Sequence, residues 1–340
     1  MAVGEKPQVD VPKKNGHAGH PRVLDLVSIT EAAAIASAHL LGHGDNHKAD
    51  AAAAEAMRKT MDTVDFAGRI VIGEGERDEA PMLFIGEHVG SGDGAELDIA
   101  VDPLEGTNLV AKGRANAISV LAAAERGGLL HAPDTYMDKL VVGAPAKGKV
   151  DLDRPVKENL RILADSLNRD VDDLTVIVLD RPRHEKLISD IRAAGARIKL
   201  IDDGDVIAAI SAVVAGTAVH CVMGIGGAPE GVLAAAALRC VGAEILGRLK
   251  FRNDDERRRA RAMGIEDEDR VYRTEDLAPG KELRFIATGV TDGDLLQGVR
   301  FFSRGSRTHS VILDYENGKI RFIDTTHYDD PKNPPLIRLS

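Results

Sequence analysis

The chain has 340 residues, 44% hydrophobic and 29% charged, with a net charge of −10 at pH 7. That is a globular composition, and its negative balance argues against non-specific nucleic-acid binding while suiting a protein that gathers cations. Single cores stop growing near ~250–300 residues, so two subdomains are expected.

Residues 1–21, rich in Lys, Pro, Gly and His with no apolar core, read as a disordered tail and not a signal peptide, and His17 and His20 belong to it. Ser28-Ile29-Thr30-Glu31 reads as a capping box opening a helix through Leu41, which the glycine-rich Gly42-His43-Gly44 ends. A second helix is predicted from Ala49 to about Thr60. This puts Asp50 in its first turn, where the macrodipole favours an acid; the functional alternative is that Asp50 faces a cation. Arg69 to Ile72 is a short buried strand, and Gly73-Glu74-Gly75-Glu76 follows it. Glycines waste backbone entropy unless the chain must bend or let something approach, which favours a ligand role for Glu74. Glu76, Asp78 and Glu79 read as a charged run leading into a helix from Ala80.

The stretch Leu97 to Thr107, LDIAVDPLEGT, is where chemistry is most legible. Leu97, Ile99 and Val101 alternate with Asp98, Ala100 and Asp102, as a strand requires. Pro103 then stops the strand, so Asp102 and Glu105 ride on a stiff turn and can point at one spot. Two such carboxylates repel unless a cation lies between them, and oxygen ligands suit a hard ion. Gly106 permits close approach of an anion, and Thr107 adds a hydroxyl. The plain alternative is a strand exit with a capping Asp102 and a solvated Glu105.

Ile118 to Ala122 is a central strand, and Ala132 to Met137 a polar loop on which Tyr136 either covers core surface or offers its hydroxyl to a phosphate. Pro145 to Pro155, punctuated by Gly, Lys and Pro, marks a boundary. Beyond it Leu174 to Leu179, Arg183 to Ala194, Arg197 to Ile201 and Val206 to Ala215 make a βαβα succession, the pattern of a sheet with helical crossovers. Function gathers at strand ends in such sheets. Arg181-Pro182-Arg183 suits a bidentate grip on phosphate. Asp202-Asp203-Gly204-Asp205 puts carboxylates at a helix start, where they suit hydrogen bonds from sugar hydroxyls, the plain alternative for Asp205 being an N-cap.

Val219 to Met223 is the next strand and leads to a turn, Gly224-Ile225-Gly226-Gly227-Ala228-Pro229-Glu230-Gly231. Pro229 stands where the third glycine of a dinucleotide fingerprint belongs, so a nicotinamide dehydrogenase reading fails. Close approach of a sugar phosphate, with Glu230 as a ligand, suits this turn better. Residues 252–261 read as a solvated, mixed-charge helix face, Phe285 to Val290, Arg307 to Leu313 and Ile320 to Ile323 as closing strands, and Tyr328 to Ser340 as a peripheral end.

No stretch approaches the ~20 apolar residues of a membrane span. Aromatics are 3% with no tryptophan, which leaves no platform for stacking bases. Cys221 and Cys240, the only cysteines, read as core thiols of a reducing, cytoplasmic compartment. Asp50, Glu74, Asp102, Glu105 and Glu230 are too many carboxylates to bury unpaired. If they converge, two or three divalent cations neutralise them, and metal-assisted hydrolysis is the chemistry that follows.

The runs IGEGE, DIAVDPLEGT, APDTYM, DRPRHE, DDGD and GIGGAPEG, in this order, resemble those of the class II fructose-1,6-bisphosphatases. These belong to the lithium-sensitive, metal-dependent phosphatase superfamily that includes the inositol monophosphatases. The resemblance covers nearly all of residues 22–328. GVRFF and FIDTTH look closest to the cyanobacterial-type members, which also act on sedoheptulose 1,7-bisphosphate.

The resemblance implies an α/β to α+β fold, a layered αβαβα sandwich. Its two subdomains would be a metal-binding α+β part at residues 22–155 and a sugar-phosphate-binding α/β part at residues 156–340. It implies Mg²⁺ or Mn²⁺ on Asp50, Glu74, Asp102, Glu105 and Glu230, and catalytic roles for Glu74 and for Thr107, which orients the attacking water. Glu105, Gly106 and Thr107 would contact the scissile phosphate, Tyr136, Arg181 and Arg183 the distal one, and Asp203, Gly204, Asp205 and Gly227 the sugar. The activity implied is hydrolysis of the 1-phosphate of fructose 1,6-bisphosphate in gluconeogenesis or the Calvin cycle. A homodimer or homotetramer is expected, with no nucleic-acid or membrane partner. One departure stands out: the family usually has Lys where this chain has Asn46, with Lys48 two residues on, which points to altered rate or metal preference. Rival readings are a bifunctional enzyme with sedoheptulose 1,7-bisphosphate as equal or main substrate, and a non-catalytic phosphosugar-binding regulator.

Overall fold

The computed structural model describes residues 21–75 and 81–328. Residues 1–20, the charged run Glu76, Asp78 and Glu79 with the expected helix start at Ala80, and everything after Tyr328 lie outside the described residues. Two helices come first, α1 (Val23–Ala38) and α2 (Asn46–Met61). Then follow β1 (Ala67–Ile72), β2 (His88–Val89), β3 (Glu96–Glu105), the short α3 (Thr107–Ala111) and β4 (Ile118–Glu125). The middle of the chain is β5 (Tyr136–Val142), α4 (Val156–Leu167), β6 (Thr175–Leu179), α5 (Glu185–Ala193), β7 (Arg197–Ile201) and α6 (Asp205–Ser211). It continues through β8 (Cys221–Gly227), α7 (Ala228–Cys240), β9 (Glu244–Lys250), α8 (Asp254–Ala262), β10 (Tyr272–Arg273) and α9 (Thr274–Leu277). The closing strands are β11 (Arg284–Gly289), β12 (Arg300–Phe302), β13 (Gly305–Asp314) and β14 (Lys319–Tyr328).

Among the described residues these strands make an eight-stranded sheet, ordered β12-β13-β11-β4-β3-β1-β2 with β14 also paired to β13, and a six-stranded sheet ordered β10-β9-β5-β8-β6-β7. Period-two alternation sends neighbouring side chains of every central strand to opposite faces. On β3 and β4, Leu97, Ile99, Val101, Leu121 and Ala123 pack under α1 and α2. Their neighbours Ala100, Val120 and Ala122 face α6 and α7 instead. The second sheet divides the same way. Met137, Val141, Ile177, Val222 and Ile245 meet α6 and α7, while Leu140, Val142, Val176, Val178 and Met223 cover α4 and α5. Helices, sheet, helices, sheet, helices is the αβαβα sandwich expected, with α6 and α7 as its buried middle layer.

Several local expectations are corrected. Ser28 to Glu31 does not open α1, which already runs from Val23. Ser28 Oγ instead donates to Asp25 O (2.6 Å), and Thr30 Oγ1 lies 2.7 Å from Thr288 Oγ1. Buried Leu26 and Val27 extend the apolar face towards the N-terminus, and packing outweighs a cap signal. The loop expected through Met137 ends at Thr135, because Tyr136 and Met137 begin β5. Gly224 to Gly227 is no turn: these glycines finish β8, and α7 starts directly after them. The strands are also not parted at residue 155. β5 pairs with β8 and β9 in the second sheet, and β11 brings the end of the chain back to β4 in the first.

Candidate active site

The cleft lies between the ends of the two sheets. Pro103 does not stop β3, which runs on to Glu105. Instead the ladder with β4 slips, Asp102 facing Val120 and Glu105 facing Ile118, so three steps along β3 span two along β4. That is a bulge, where a residue without an N–H is tolerated. The bulge has a chemical consequence. Residues three apart on a regular strand point to opposite faces; the extra residue puts Asp102 and Glu105 on the same one.

Asp102 Oδ1 accepts from Leu104 N at 3.0 Å, and Glu105 Oε1 accepts from Val206 N at 2.8 Å, which ties the first sheet to the start of α6. Gly106 holds φ +93°, a left-handed conformation suited to glycine, and turns the chain into α3 at Thr107.

The remaining acids come from separate elements. Asp45 caps α2, its carboxylate accepting from Lys48 N at 3.0 Å, so Asp50 sits beyond the first turn and the macrodipole does not account for it. Glu74 follows β1, and Glu230 lies in the first turn of α7. Asp50, Glu74, Asp102, Glu105 and Glu230 all line one cleft with Gly106, Thr107 and Asp203. Its cavity volume is about 280 Å³, close to the lower end of small-molecule sites.

Asp102, Glu105 and Glu230 each bring a carboxylate oxygen within 4.8 Å of the others. Burial, then the charges of Asp50 and Asp102, hold the Glu74 carboxyl well above the carboxylate range, and burial raises Asp50 beside it. Burial together with Asp102 and Asp205 does the same to Glu105. Asp102 and Glu230 are each pushed up to about 7, again mainly by burial. Glu230 Oε2 is buried with no hydrogen-bond partner. A set made wholly of carboxylate oxygens, mutually repelling and with an orphaned acceptor, fits hard divalent cations.

The expected substrate residues surround this cleft unevenly. Asp203 Oδ2 accepts from Asn108 N (3.3 Å) and Nδ2 (3.1 Å), which fixes the start of α3. Asp205 follows the left-handed Gly204 and pairs through Oδ2 with Lys139 Nζ at 2.7 Å, Lys139 buried and Asp205 partly so. Gly227 caps α7, and a Cβ there would lie 1.8 Å from Glu230 Oε2.

The two arginines do not form one fork. Arg181 donates to the carbonyls of Asp180 and Asp202, while Arg183 donates to Ile225 O and lies over the Tyr136 ring at 4.8 Å. Asn46 faces α3, 3.5 Å from Asn108 Oδ1, while Lys48 is exposed.

Three residues at the site went unread in the sequence. Asp134 lines the cleft. Lys139 is the buried cation beside it, on β5 just past the stretch that reads as a loop through Met137. Arg252 also stacks on Tyr136, at 5.0 Å.

Clustered acids for cations with guanidiniums beside them are the equipment of a phosphate-ester hydrolase. Comparison with known sequences agrees. The model of the family described as bacterial fructose-1,6-bisphosphatase, glpX-encoded, matches residues 20–327. The chain belongs to that family and is an enzyme of it, a phosphatase.

Among its relatives is the D-fructose 1,6-bisphosphatase class 2/sedoheptulose 1,7-bisphosphatase of Synechococcus sp. (strain JA-3-3Ab), 52% identical over 340 residues that cover 93% of this chain and 98% of the relative. The protein of the same name from Synechococcus elongatus is 50% identical over 338 residues, 92% and 98% of the two chains. That from Gloeobacter violaceus is 48% identical over 332 residues, 91% and 96%. No helix among the described residues is long and apolar enough to cross a membrane.

Proposed function

We propose that this protein hydrolyses the 1-phosphate of fructose 1,6-bisphosphate to fructose 6-phosphate and inorganic phosphate, in gluconeogenesis or the Calvin cycle. The observation that carries the reading is the convergence of five acids from α2, β3, α7 and the segment after β1 on one cleft, with Glu230 Oε2 unsatisfied.

Asp50, Glu74, Asp102, Glu105 and Glu230 would hold two or three Mg²⁺ or Mn²⁺ ions. Such ions supply an acidified water and neutralise phosphoryl charge. The bulge fixes Asp102 and Glu105 before substrate arrives, so little reorganisation is needed. Thr107, at the turn made by Gly106, orients the attacking water with Glu74. Its oxygen bonds to phosphorus as the bond to the sugar 1-oxygen breaks, and that oxygen takes a proton. Asp203, Gly204 and Asp205 with Gly227 border the sugar. Lys139 holds Asp205 at the cleft edge and sets a cation behind Glu230. Arg183, Arg181 and Tyr136 receive the distal phosphate.

Purified protein that released no phosphate from fructose 1,6-bisphosphate with Mg²⁺ or Mn²⁺ would refute this. A second reading rests on the dual names of the relatives: sedoheptulose 1,7-bisphosphate as an equal or main substrate, decided by kcat/KM on both sugars. The non-catalytic regulator loses its support, since the chain belongs to an enzyme family and keeps all five acids. Cys221 and Cys240, both free thiols, support the cytoplasm as compartment. The homodimer or homotetramer is read by light scattering.

A further inference from the structure

Residues 252–261 read in sequence as one solvated charge run, and most of its arginines behave that way. Arg257 and Arg261 pair with Glu268, and Arg258 pairs with Asp255. Arg252 is different. Its backbone N donates to Glu256 Oε2 at 2.7 Å, its Nε donates to Glu256 Oε1, and Glu256 is 1% exposed. Glu256 Oε2 also accepts from Thr135 Oγ1 at 2.7 Å. One buried carboxylate thus locks Arg252 to the residue preceding Tyr136.

The guanidinium lies over the Tyr136 ring at 5.0 Å, and Arg183 lies over the same ring at 4.8 Å. They come from different sides. Tyr136 pairs with Gly227 on β8 and with Lys250 on β9; Arg183 is anchored on Ile225 O of β8, and Arg252 follows the end of β9. Nε and Nη2 of Arg183 are taken by Ile225 O, and Nε and Nη2 of Arg252 by Glu256 and Asp134 O (3.4 Å). Among the described residues neither Nη1 has a hydrogen-bond partner, which leaves it for a ligand. Two cations held at one aromatic ring repel, and an anion between them relieves the repulsion. Asp134, whose carbonyl Arg252 reaches, lines the metal cleft, and Gly227 borders Glu230. The pair therefore stands at the edge of the cleft.

We infer that Arg252 is a further substrate-binding residue, a second guanidinium that grips, with Arg183 and across Tyr136, the phosphate that is not hydrolysed. This rests on the bisphosphatase reading above.

The full-length protein and its Arg252→Gln and Arg252→Lys variants are assayed on fructose 1,6-bisphosphate and on p-nitrophenyl phosphate, which has no second phosphate. Arg252→Gln raises KM for the bisphosphate about 10-fold or more, the size of a lost charge-assisted hydrogen bond, with kcat little changed. Arg252→Lys recovers part of that loss, and the kinetics on p-nitrophenyl phosphate stay at the wild-type level in both. An unchanged bisphosphate KM in Arg252→Gln overturns the inference and leaves the proposed function standing. A parallel loss on both substrates in both variants also overturns it, by assigning Arg252 to folding. A wild-type protein inactive on every sugar bisphosphate removes the function and the inference together.

Discussion

Gly227→Ala separates catalysis from folding. Gly227 has φ −71° and ψ 145°, an extended conformation that alanine adopts freely, so backbone strain plays no part. Two effects on stability oppose one another. Alanine is the poorer N-cap by up to about 1 kcal/mol, yet it lowers the entropy of the unfolded chain by about 0.4–1 kcal/mol. The site has no such balance. The new Cβ would lie 1.8 Å from Glu230 Oε2 and 2.6 Å from its Cδ, where ordinary contact begins at 3.4 Å. The Glu230 carboxylate must therefore move by about 1.6 Å, the gap between those distances. A misplacement of about 1 Å in a catalytic constellation costs on the order of 10²-fold. Gly227→Ala should lower kcat/KM at least ~100-fold, roughly 2.7 kcal/mol of transition-state stabilisation, and raise the Mn²⁺ concentration needed for half activity. Steady-state kinetics across a Mn²⁺ titration, with a thermal melt alongside, read both quantities. Wild-type kcat/KM and metal requirement in a well-folded Gly227→Ala protein would refute the placement of Glu230 as a ligand.

Metal-free protein should lose stability as pH rises. Asp102 and Glu230 have folded-state values of about 7 against ordinary values of 3.8 and 4.5, so their protonated forms stabilise the fold below about pH 4 and that stability is lost as pH rises through 7. Melts in EDTA between pH 5 and 8 should fall by several degrees and recover with Mn²⁺; a flat profile would contradict the buried cluster. Asp102→Asn should reduce kcat/KM by more than ~10²-fold, beyond the usual cost of losing a metal ligand's supporting partner, while raising the melting temperature of the metal-free protein by removing one repelling charge. A variant both inactive and less stable would mean that Asp102 is structural. Phe285→Ala, in the middle core with Phe285 fully buried, should cost about 3–5 kcal/mol in denaturant unfolding and leave KM unchanged.

How far this was legible in the chain follows from the range of each interaction. Strand alternation is local, so LDIAVD announced which side chains of β3 go to the outer core and which face inward. The acids beside glycine and proline announced themselves because those residues are costly without a purpose. That Asp50, Glu74, Asp102, Glu105 and Glu230 share one cleft was reachable only as a conditional, for nothing in their spacing brings α2, β1, β3 and α7 together.

Tertiary structure decided the rest. Whether Pro103 ends a strand or sits in a bulge depends on the partner β4, which supplies the ladder the bulge slips against. β5 went unread because its first two residues, Tyr136 and Met137, close the run APDTYM, which has the composition of a loop; it becomes a strand because β8 and β9 pair with both its edges, and with it came Lys139 and the setting of Tyr136. Arg252 carries the same charge as its neighbours in the run, and only the buried Glu256 singles it out. The amino-acid sequence by itself determined the strand faces and the kind of chemistry, since these follow from period, charge and side-chain type. The meeting of the chain's end with its beginning through β11 and β4, and the gathering of distant acids, came from packing between elements far apart in sequence, which no local pattern encodes.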